Sequence, residues 1–413
     1  MSKVLFVPVM EKGHVHPLIG VLQLLQKEGH RIACYGIRRD PIAAQFSAAG
    51  IECSWFPVQG GGRGESASAQ KNAHLNDPKR LLRWCALGIA RSLDAGNVDA
   101  LRAAIREFKP DVLCADPLAY HGCVAAELEG IPWAAIPATM VSAADPAWRC
   151  PWIDAMEELR PMVLATMRER GVTTVRLRSC DAVSPWLNTV FVPEAFAPRA
   201  WSRNEDSWFL GPSRPVASRG DEPEFPWERL RRDVPVVYVS SGGGQALSFD
   251  PQVILTICRS LPPREAQFVC ALQGLDDESF VSQLPDSCIA VRYAPQMRLL
   301  ESHAAVAVTH GGVNSVTECL TYGRPMLVLP IGLDHPIQAR AVERSGVGLA
   351  LEVSELSVQD CRSALLRLLD PAEGFRRSLE PIRRACSVNG AVKAAELIAA
   401  LARARRPMPA GPF

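Results

Sequence analysis

Residues 304–323, AAVAVTHGGVNSVTECLTYG, set an imidazole, two glycines, an amide and a hydroxyl between an apolar run and a helical one. The run from Ala304 to Val308 predicts a buried strand. The chain then turns through Thr309, His310, Gly311 and Gly312. A helix is expected from about Asn314 to Tyr322, with Gly323 as its stop. A strand, a tight turn and a helix in that order aim backbone N–H groups and the positive helix end at an anion. His310, Asn314 and Ser315 crowd the helix start and can donate to phosphate oxygens. Glu318 lies one turn beyond Asn314 on the same face, where a carboxylate accepts from ribose hydroxyls. After Pro325 a second strand, Met326 to Leu329, leads to Asp334 and His335, a carboxylate and an imidazole suited to sugar hydroxyls. The combined chemistry is that of holding a nucleoside diphosphate with a sugar attached.

Two further residues have catalytic types. His14 follows the apolar run Val4–Val9 in Glu11-Lys-Gly13-His14-Val15-His16-Pro17, just before a helix expected over Pro17–Glu28. Asp116 follows the run Val112–Ala115. An imidazole titrates near neutrality, and a carboxylate beside it fixes its tautomer and stabilises the imidazolium. His16 is the nearby decoy and reads as a polar residue at the helix start. Ser240-Ser241-Gly242-Gly243-Gly244 follows the strand Val236–Ser240, and its glycines let backbone approach phosphates.

Elements that position these residues alternate strand with helix nearly throughout, which argues for doubly wound parallel α/β sheets. With 413 residues, 48% hydrophobic and 22% charged, the chain is expected to form two globular domains. The expected division is 1–211, a linker over 212–234 rich in Pro, Gly and charge, and 235–387, followed by an alanine-rich helix at 388–405. Gly60–Pro78 reads as a surface loop. Met140–Val190 is less regular. Its Trp148, Trp152, Met156 and Trp186 are candidates to line a pocket for an apolar molecule, with plain helix core as the equal alternative. A net charge of +1 gives no field that would draw nucleic acid or an anionic membrane. The 13 cysteines include no Cys-x-x-Cys pair and read as reduced core residues of a cytoplasmic protein. No apolar run approaches the ~18 residues of a membrane span, and the first residues are too short a lead for a signal peptide.

The stretch His310-Gly-Gly-Val-Asn314-Ser315-Val-Thr-Glu318, with Tyr293-Ala-Pro295-Gln296 before it and Gly323-x-Pro325 and Asp334-His335 after it, closely resembles the donor-binding signature of the UDP-glycosyltransferases. The match covers roughly a tenth of the chain. Gly13-His14-x-x-Pro17 and Ala115-Asp116 are similar to that family's catalytic positions. The resemblance implies a GT-B fold, two Rossmann-like domains facing a cleft, with the terminal helix returning to the first. It implies an inverting hexosyltransferase, closest in character to bacterial macrolide, polyketide and carotenoid enzymes. A UDP- or dTDP-sugar would be co-substrate and an apolar natural product the acceptor, with no cofactor, as monomer or homodimer. His14 would be the base and Asp116 its orienter. Ser240, Ser241, Gly242, Gly243, Tyr293, Pro295, Gln296, His310, Gly311, Gly312, Asn314, Ser315, Glu318, Asp334 and His335 would hold the donor.

The chain departs from the family pattern in three places. Gly243 stands where many members have a second hydroxyl, Tyr293 where plant members stack a Trp on uracil, and His335 where glucosyl-transferring plant members have Gln. No Asp-x-Asp occurs, which fits metal-independent transfer. A sugar-nucleotide epimerase of the same fold, and a non-catalytic partner protein, are the competing readings. The epimerase lacks a reason for the His14 turn, and a non-catalytic relative should have lost His14, Asp116 or the His310 helix. Phosphate-loop NTPase and serine-hydrolase motifs are missing.

Overall fold

Strand Lys3–Val7 (β1) is apolar on both faces, a pattern that only a strand covered on both sides tolerates. The computed structural model describes residues 1–36, 41–58, 77–197, 207–242, 248–273, 275 and 278–410, with the side chain of residue 142 left aside. It divides into two compact units: residues 1–221 together with 388–413, and residues 222–387.

The first unit runs from β1 through α1 (Lys12–Lys27), β2 (Arg31–Tyr35), α2 (Pro41–Ala48), β3 (Ser54–Phe56), α3 (Pro78–Ser92) and α4 (Ala95–Phe108). It continues with β4 (Val112–Ala115), α5 (Tyr120–Leu128), β5 (Trp133–Ala135), α6 (Pro151–Glu169), β6 (Arg176–Arg178), β7 (Asp181–Val183), β8 (Leu187–Val190) and β9 (Ser207–Phe209). Seven of these strands form a parallel sheet in the order β3-β2-β1-β4-β5-β8-β9, and β6 and β7 form a separate antiparallel hairpin.

The second unit contains β10 (Val236–Ser240), α7 (Pro251–Cys258), β11 (Gln267–Ala271), α8 (Glu278–Val281), β12 (Ile289–Val291), α9 (Gln296–Ser302), β13 (Ala304–Thr309) and α10 (Val313–Tyr322). After these come β14 (Met326–Val328), α11 (His335–Arg344), β15 (Gly348–Ala350), α12 (Val358–Leu369) and α13 (Phe375–Ala385). Its six-stranded parallel sheet has the order β12-β11-β10-β13-β14-β15. In each sheet the strand order reverses once, between β1 and β4 and between β10 and β13. Ligands of doubly wound sheets sit at the carboxyl ends of the strands flanking that reversal.

Helix α14 (Gly390–Ala404) belongs to the first unit. Its Ala394, Ala395, Ile398 and Leu401 are buried in one hydrophobic cluster with Val4, Phe6, Ile19 and Leu22. The segment expected as a linker is strapped down on both sides of residue 221. Asn389 accepts from the Arg214 N–H at 2.9 Å and donates to its carbonyl at 2.9 Å, and Gln23 accepts from the Val216 N–H at 2.9 Å. The Arg214 carbonyl passes so close to α1 that a Cβ on Gly20 would stand 2.2 Å from it, so only glycine fits there. Beyond residue 221, Gln267 accepts from the Arg231 N–H at 2.8 Å, and Arg298 lies over the Trp227 ring at 4.3 Å. High Pro and Gly content in this segment therefore reflects close backbone packing rather than slack.

Two other expectations change. Helix α1 starts at Lys12, five residues before Pro17. His14 and His16 therefore lie in its first turns, and Pro17 sits inside the helix near its start, where few hydrogen bonds are lost. Residues 151–169, read as irregular, form the 19-residue helix α6, opened by Pro151 in its first turn. Trp152 and Met156 are buried in it, and α6 packs on α3. Trp186 joins the cluster around β1 and α14, which does not include them, and Trp148 is half-buried. Trp152, Met156 and Trp186 thus take part in core packing. Most of Gly60–Pro78, expected as a loop, lies outside the described residues. Among the described residues, one stretch is long and apolar enough to cross a membrane, Phe375–Ala404. It is two helices, α13 and α14, broken at residues 386–389.

Candidate functional site

In the first unit the reversal point carries His14 and Asp116. Val7 and Ala115 are register partners at the ends of β1 and β4, and the Asp116 N–H extends that ladder onto the Val7 carbonyl at 3.0 Å. The backbone therefore fixes where the carboxylate starts. Its Oδ1 accepts from the Leu118 N–H at 2.9 Å, and its Oδ2 stands 2.6 Å from His14 Nδ1. Asp116 is 4% exposed and His14 19%, so the carboxylate is the more shielded of the two. A carboxylate on Nδ1 selects the tautomer with its proton there and leaves the lone pair on Nε2, the arrangement of a general base with an orienter.

Sequence reasoning missed the neighbouring His121 on α5. Its Nδ1 lies 3.0 Å from Ser92 Oγ. Desolvation pushes its pKa down to about 4 despite the attraction of Asp116. His121 is thus neutral near pH 7 and leaves the Asp116 charge to His14. Its one available signal was a position at the start of the helix after Asp116. His16 is paired too, with its Nε2 3.3 Å from Asp221. Burial alone would raise the Asp221 carboxyl, but His16 and Arg219 hold it below the usual carboxylate range. That link ties α1 to residues 219–221 and gives His16 a structural task.

In the second unit the reversal point lies between Ser240 and Thr309, register partners at the ends of β10 and β13. Ser240, Ser241 and Gly242 follow one strand and His310, Gly311 and Gly312 the other, while Gly243 lies outside the described residues. Ser241 is fully buried and its hydroxyl donates to the Ala271 carbonyl at 3.2 Å. That bond pins the loop to β11. Helix α10 opens at Gly312 with no side-chain cap, unlike α3, α4, α7, α12 and α14, which Asp77, Asp94, Asp250, Ser357 and Asn389 cap. Gly323 closes it in the left-handed region, as expected. Asn314 and Ser315 sit half-buried in the first turn.

His310 and His335 meet edge to face, ring centroids 4.7 Å apart, and the Nδ1 of each is buried without a hydrogen-bond partner. Burial pushes the His310 pKa down to about 4, and burial followed by repulsion from His310 pushes His335 well below its ordinary value. Both rings are neutral near pH 7. His310 can then donate one N–H without placing a cation in the core. A Cβ on Gly312 would stand 2.6 Å from His310 Nε2, so the glycine makes room for the ring.

A chain of side chains organises the rest. Tyr238 of β10 donates to Gln296 Oε1 at 3.0 Å, and Gln296 Nε2 donates to Glu318 Oε2 at 2.6 Å. Gln296 follows Pro295 at the start of α9, so its amide is aimed by a helix end. The sequence did not point to Tyr238, since a buried tyrosine in a strand reads as core. Tyr293 is 41% exposed, with the Arg292 guanidinium 6.0 Å from its ring centroid. Asp334 begins α11, and Gln338, fully buried one turn on, donates to its Oδ2 at 2.6 Å. Gln338 was also missed. Its helical spacing from Asp334 was the available signal.

Residues 264–384, which include Tyr293, Gln296, His310, Glu318, Asp334 and Gln338, match the family described as Erythromycin biosynthesis protein CIII-like, C-terminal domain. The chain is 26% identical to the oleandomycin glycosyltransferase of Streptomyces antibioticus over 419 residues, 95% of this chain and 89% of that one. The chain is thus similar to GT1-type natural-product glycosyltransferases. It is also 28% identical to the uncharacterized UDP-glucosyltransferase YdhE of Bacillus subtilis (strain 168) over 208 residues, 50% of this chain. That match spans about half the relative's length, 51%. In fold the chain is similar to CalG4, the calicheamicin glycosyltransferase. The TM-score is 0.74 and the identity 22%, over 98% of this chain and 99% of that one, which makes the two parallel-sheet units those of the GT-B fold.

Proposed function

We propose that the protein is an inverting, metal-independent glycosyltransferase. It moves a hexose from a UDP- or dTDP-sugar to a hydroxyl of an apolar small-molecule natural product. The observation that carries this reading is the 2.6 Å contact of His14 Nδ1 with Asp116 Oδ2 at the reversal point of the first sheet. Each unit places its chemical groups at the same topological position, and the reaction needs those two positions to meet.

In this mechanism His14 Nε2 takes the proton of the acceptor hydroxyl. The oxygen forms a bond to the anomeric carbon from the face opposite the diphosphate. The bond from that carbon to the diphosphate oxygen breaks, and the nucleoside diphosphate leaves with the electron pair. Asp116 stabilises the imidazolium. The uncapped start of α10, the neutral His310 and the side chains of Asn314 and Ser315 meet the charge on the leaving group. Fixed donors of this kind contribute about 3–4 kcal/mol each where one has been removed in other enzymes. They supply the positive potential that a metal supplies elsewhere, which supports metal independence. Glu318, held by Gln296, accepts from the ribose hydroxyls. Tyr293 offers its face to the base, and Asp334 accepts from the sugar. The oleandomycin relative supports an apolar, hydroxyl-bearing acceptor.

The experiment is incubation with UDP- and dTDP-sugars and a panel of macrolide, polyketide, carotenoid and phenolic acceptors. Nucleotide release should accompany a gain of one sugar mass on the acceptor, with inverted anomeric configuration and no loss on adding a chelator. Release without acceptor modification would instead favour a hydrolase or epimerase.

A further inference from the structure

Three thiols from separate elements meet inside the second unit. Cys258 ends α7, Cys270 lies in β11, and Cys288 immediately precedes β12. The Cys270 sulfur is 3.4 Å from that of Cys258 and 3.6 Å from that of Cys288, and all three lie within 4.8 Å of one another. Packing alone rewards apolar volume, which Ala or Val would serve at any of these positions. The separations far exceed the ~2.05 Å of a disulfide. They approach the edge of a tetrahedral thiolate site, about 3.8 Å for zinc–sulfur bonds of about 2.3 Å.

All three thiols lie within the hydrophobic core cluster of this unit. Arg229 donates to the Cys288 carbonyl at 3.4 Å and supplies a cationic group beside them. Cys288 is 6% exposed and the other two are sealed, which makes it the side of entry.

We propose that Cys258, Cys270 and Cys288 form a binding site for one soft, thiophilic divalent cation of the zinc and cadmium type. Binding turns the three thiols into thiolates and releases their protons to solvent. Three thiolates and a divalent cation leave one negative charge beside Arg229. The fourth coordination position falls to a solvent molecule or small anion, as in open zinc sites. The cation would tie β12, the edge strand of its sheet, to β11 and α7. Its effect is on the stability of this unit and not on sugar transfer.

The test is a titration of the reduced, chelator-treated full-length protein with Cd²⁺, following the ultraviolet thiolate-to-cadmium charge-transfer band and the melting temperature. One equivalent should saturate the band and raise the melting temperature. Losing an outer-shell partner alone costs roughly 10–100-fold in metal affinity, so Cys288→Ala should weaken binding at least tenfold. The control Cys34→Ala/Cys53→Ala, which removes the other hydrogen-bonded thiol pair, should leave binding unchanged. If Cys288→Ala fails to fold by circular dichroism, Cys288→Ser keeps the volume and must show the same loss. A wild-type titration with no saturable band at one equivalent overturns the proposal. So does a Cys288 variant whose band titrates with the wild-type affinity.

Discussion

A base needs a lone pair, a fixed ring and a partner for the charge it acquires, and His14 has the last two from Asp116. His14→Ala should lower kcat by about 10²–10⁴-fold, the usual worth of general-base catalysis, while nucleotide-sugar affinity by calorimetry stays within error. Asp116→Asn should also lower kcat while leaving the fold intact, because an amide can hold the wrong tautomer. Gln338 tests a different contact. It touches Asp334, which in the proposed mode reaches the sugar and not the nucleotide. Gln338→Leu should weaken the nucleotide-sugar several-fold and leave the free nucleoside diphosphate unchanged; equal weakening of both would show a general collapse of the pocket. His14, Asp116 and the His310 turn were legible in the sequence because each follows an apolar strand, and strand ends are where such sheets put chemistry. Gln338, Tyr238 and His121 were not legible. Their importance lies in a partner and in burial, and neither leaves a local mark.

Elements carry the tolerances within which those residues work. The start of α10 has no side-chain cap and a histidine ring beside its first glycine. Gly312→Ala would place a methyl carbon against His310 Nε2, so the ring must move. Donor affinity should fall with a small change in melting temperature, measured on the same sample. Gly20→Ala should do the opposite. It forces α1 and the Arg214 strand of backbone apart, an overpacking cost of about 1–3 kcal/mol or more, read as a lower melting temperature. At this scale the sequence was a fair guide to strands, whose apolar runs are short and bounded. It was a poorer guide where proline misled. Pro17 looked like a helix start yet sits inside α1, and the Pro-rich stretch after residue 211 looked slack yet is hydrogen-bonded throughout. Helix α6 was obscured by large apolar residues that suggested a pocket and that pack into a helix pair.

For the whole molecule, the two neutral histidines of the second unit set an acid limit. His310 has a folded pKa of about 4, below the ordinary 6.5, so the unfolded chain binds more protons between those values. Stability is therefore full above pH 6.5 and falls as pH drops toward 4. His310 alone accounts for about 3 kcal/mol at the low end. His335 shifts in the same direction and adds to the loss. Thermal melts from pH 7.5 to 4.5 should show a steep decline that His310→Asn flattens; an unchanged slope would mean the ring is protonated in the fold. The twofold α/β layout was readable from the alternation of strands and helices. The membership of residues 388–404 in the first unit was expected from the family resemblance and not from the residues themselves, because an alanine-rich helix gives no address.

That helix has a consequence for biosynthesis. The body begun by β1 is completed by a piece synthesised after residues 222–387 have all emerged from the ribosome. The first unit has its strands early but lacks helix α14 until the second unit is complete, so the second should become protease-resistant first in arrested nascent chains. A stop codon at 388 should leave that unit folded and the other open to digestion, a division of fates that limited trypsin treatment would display directly.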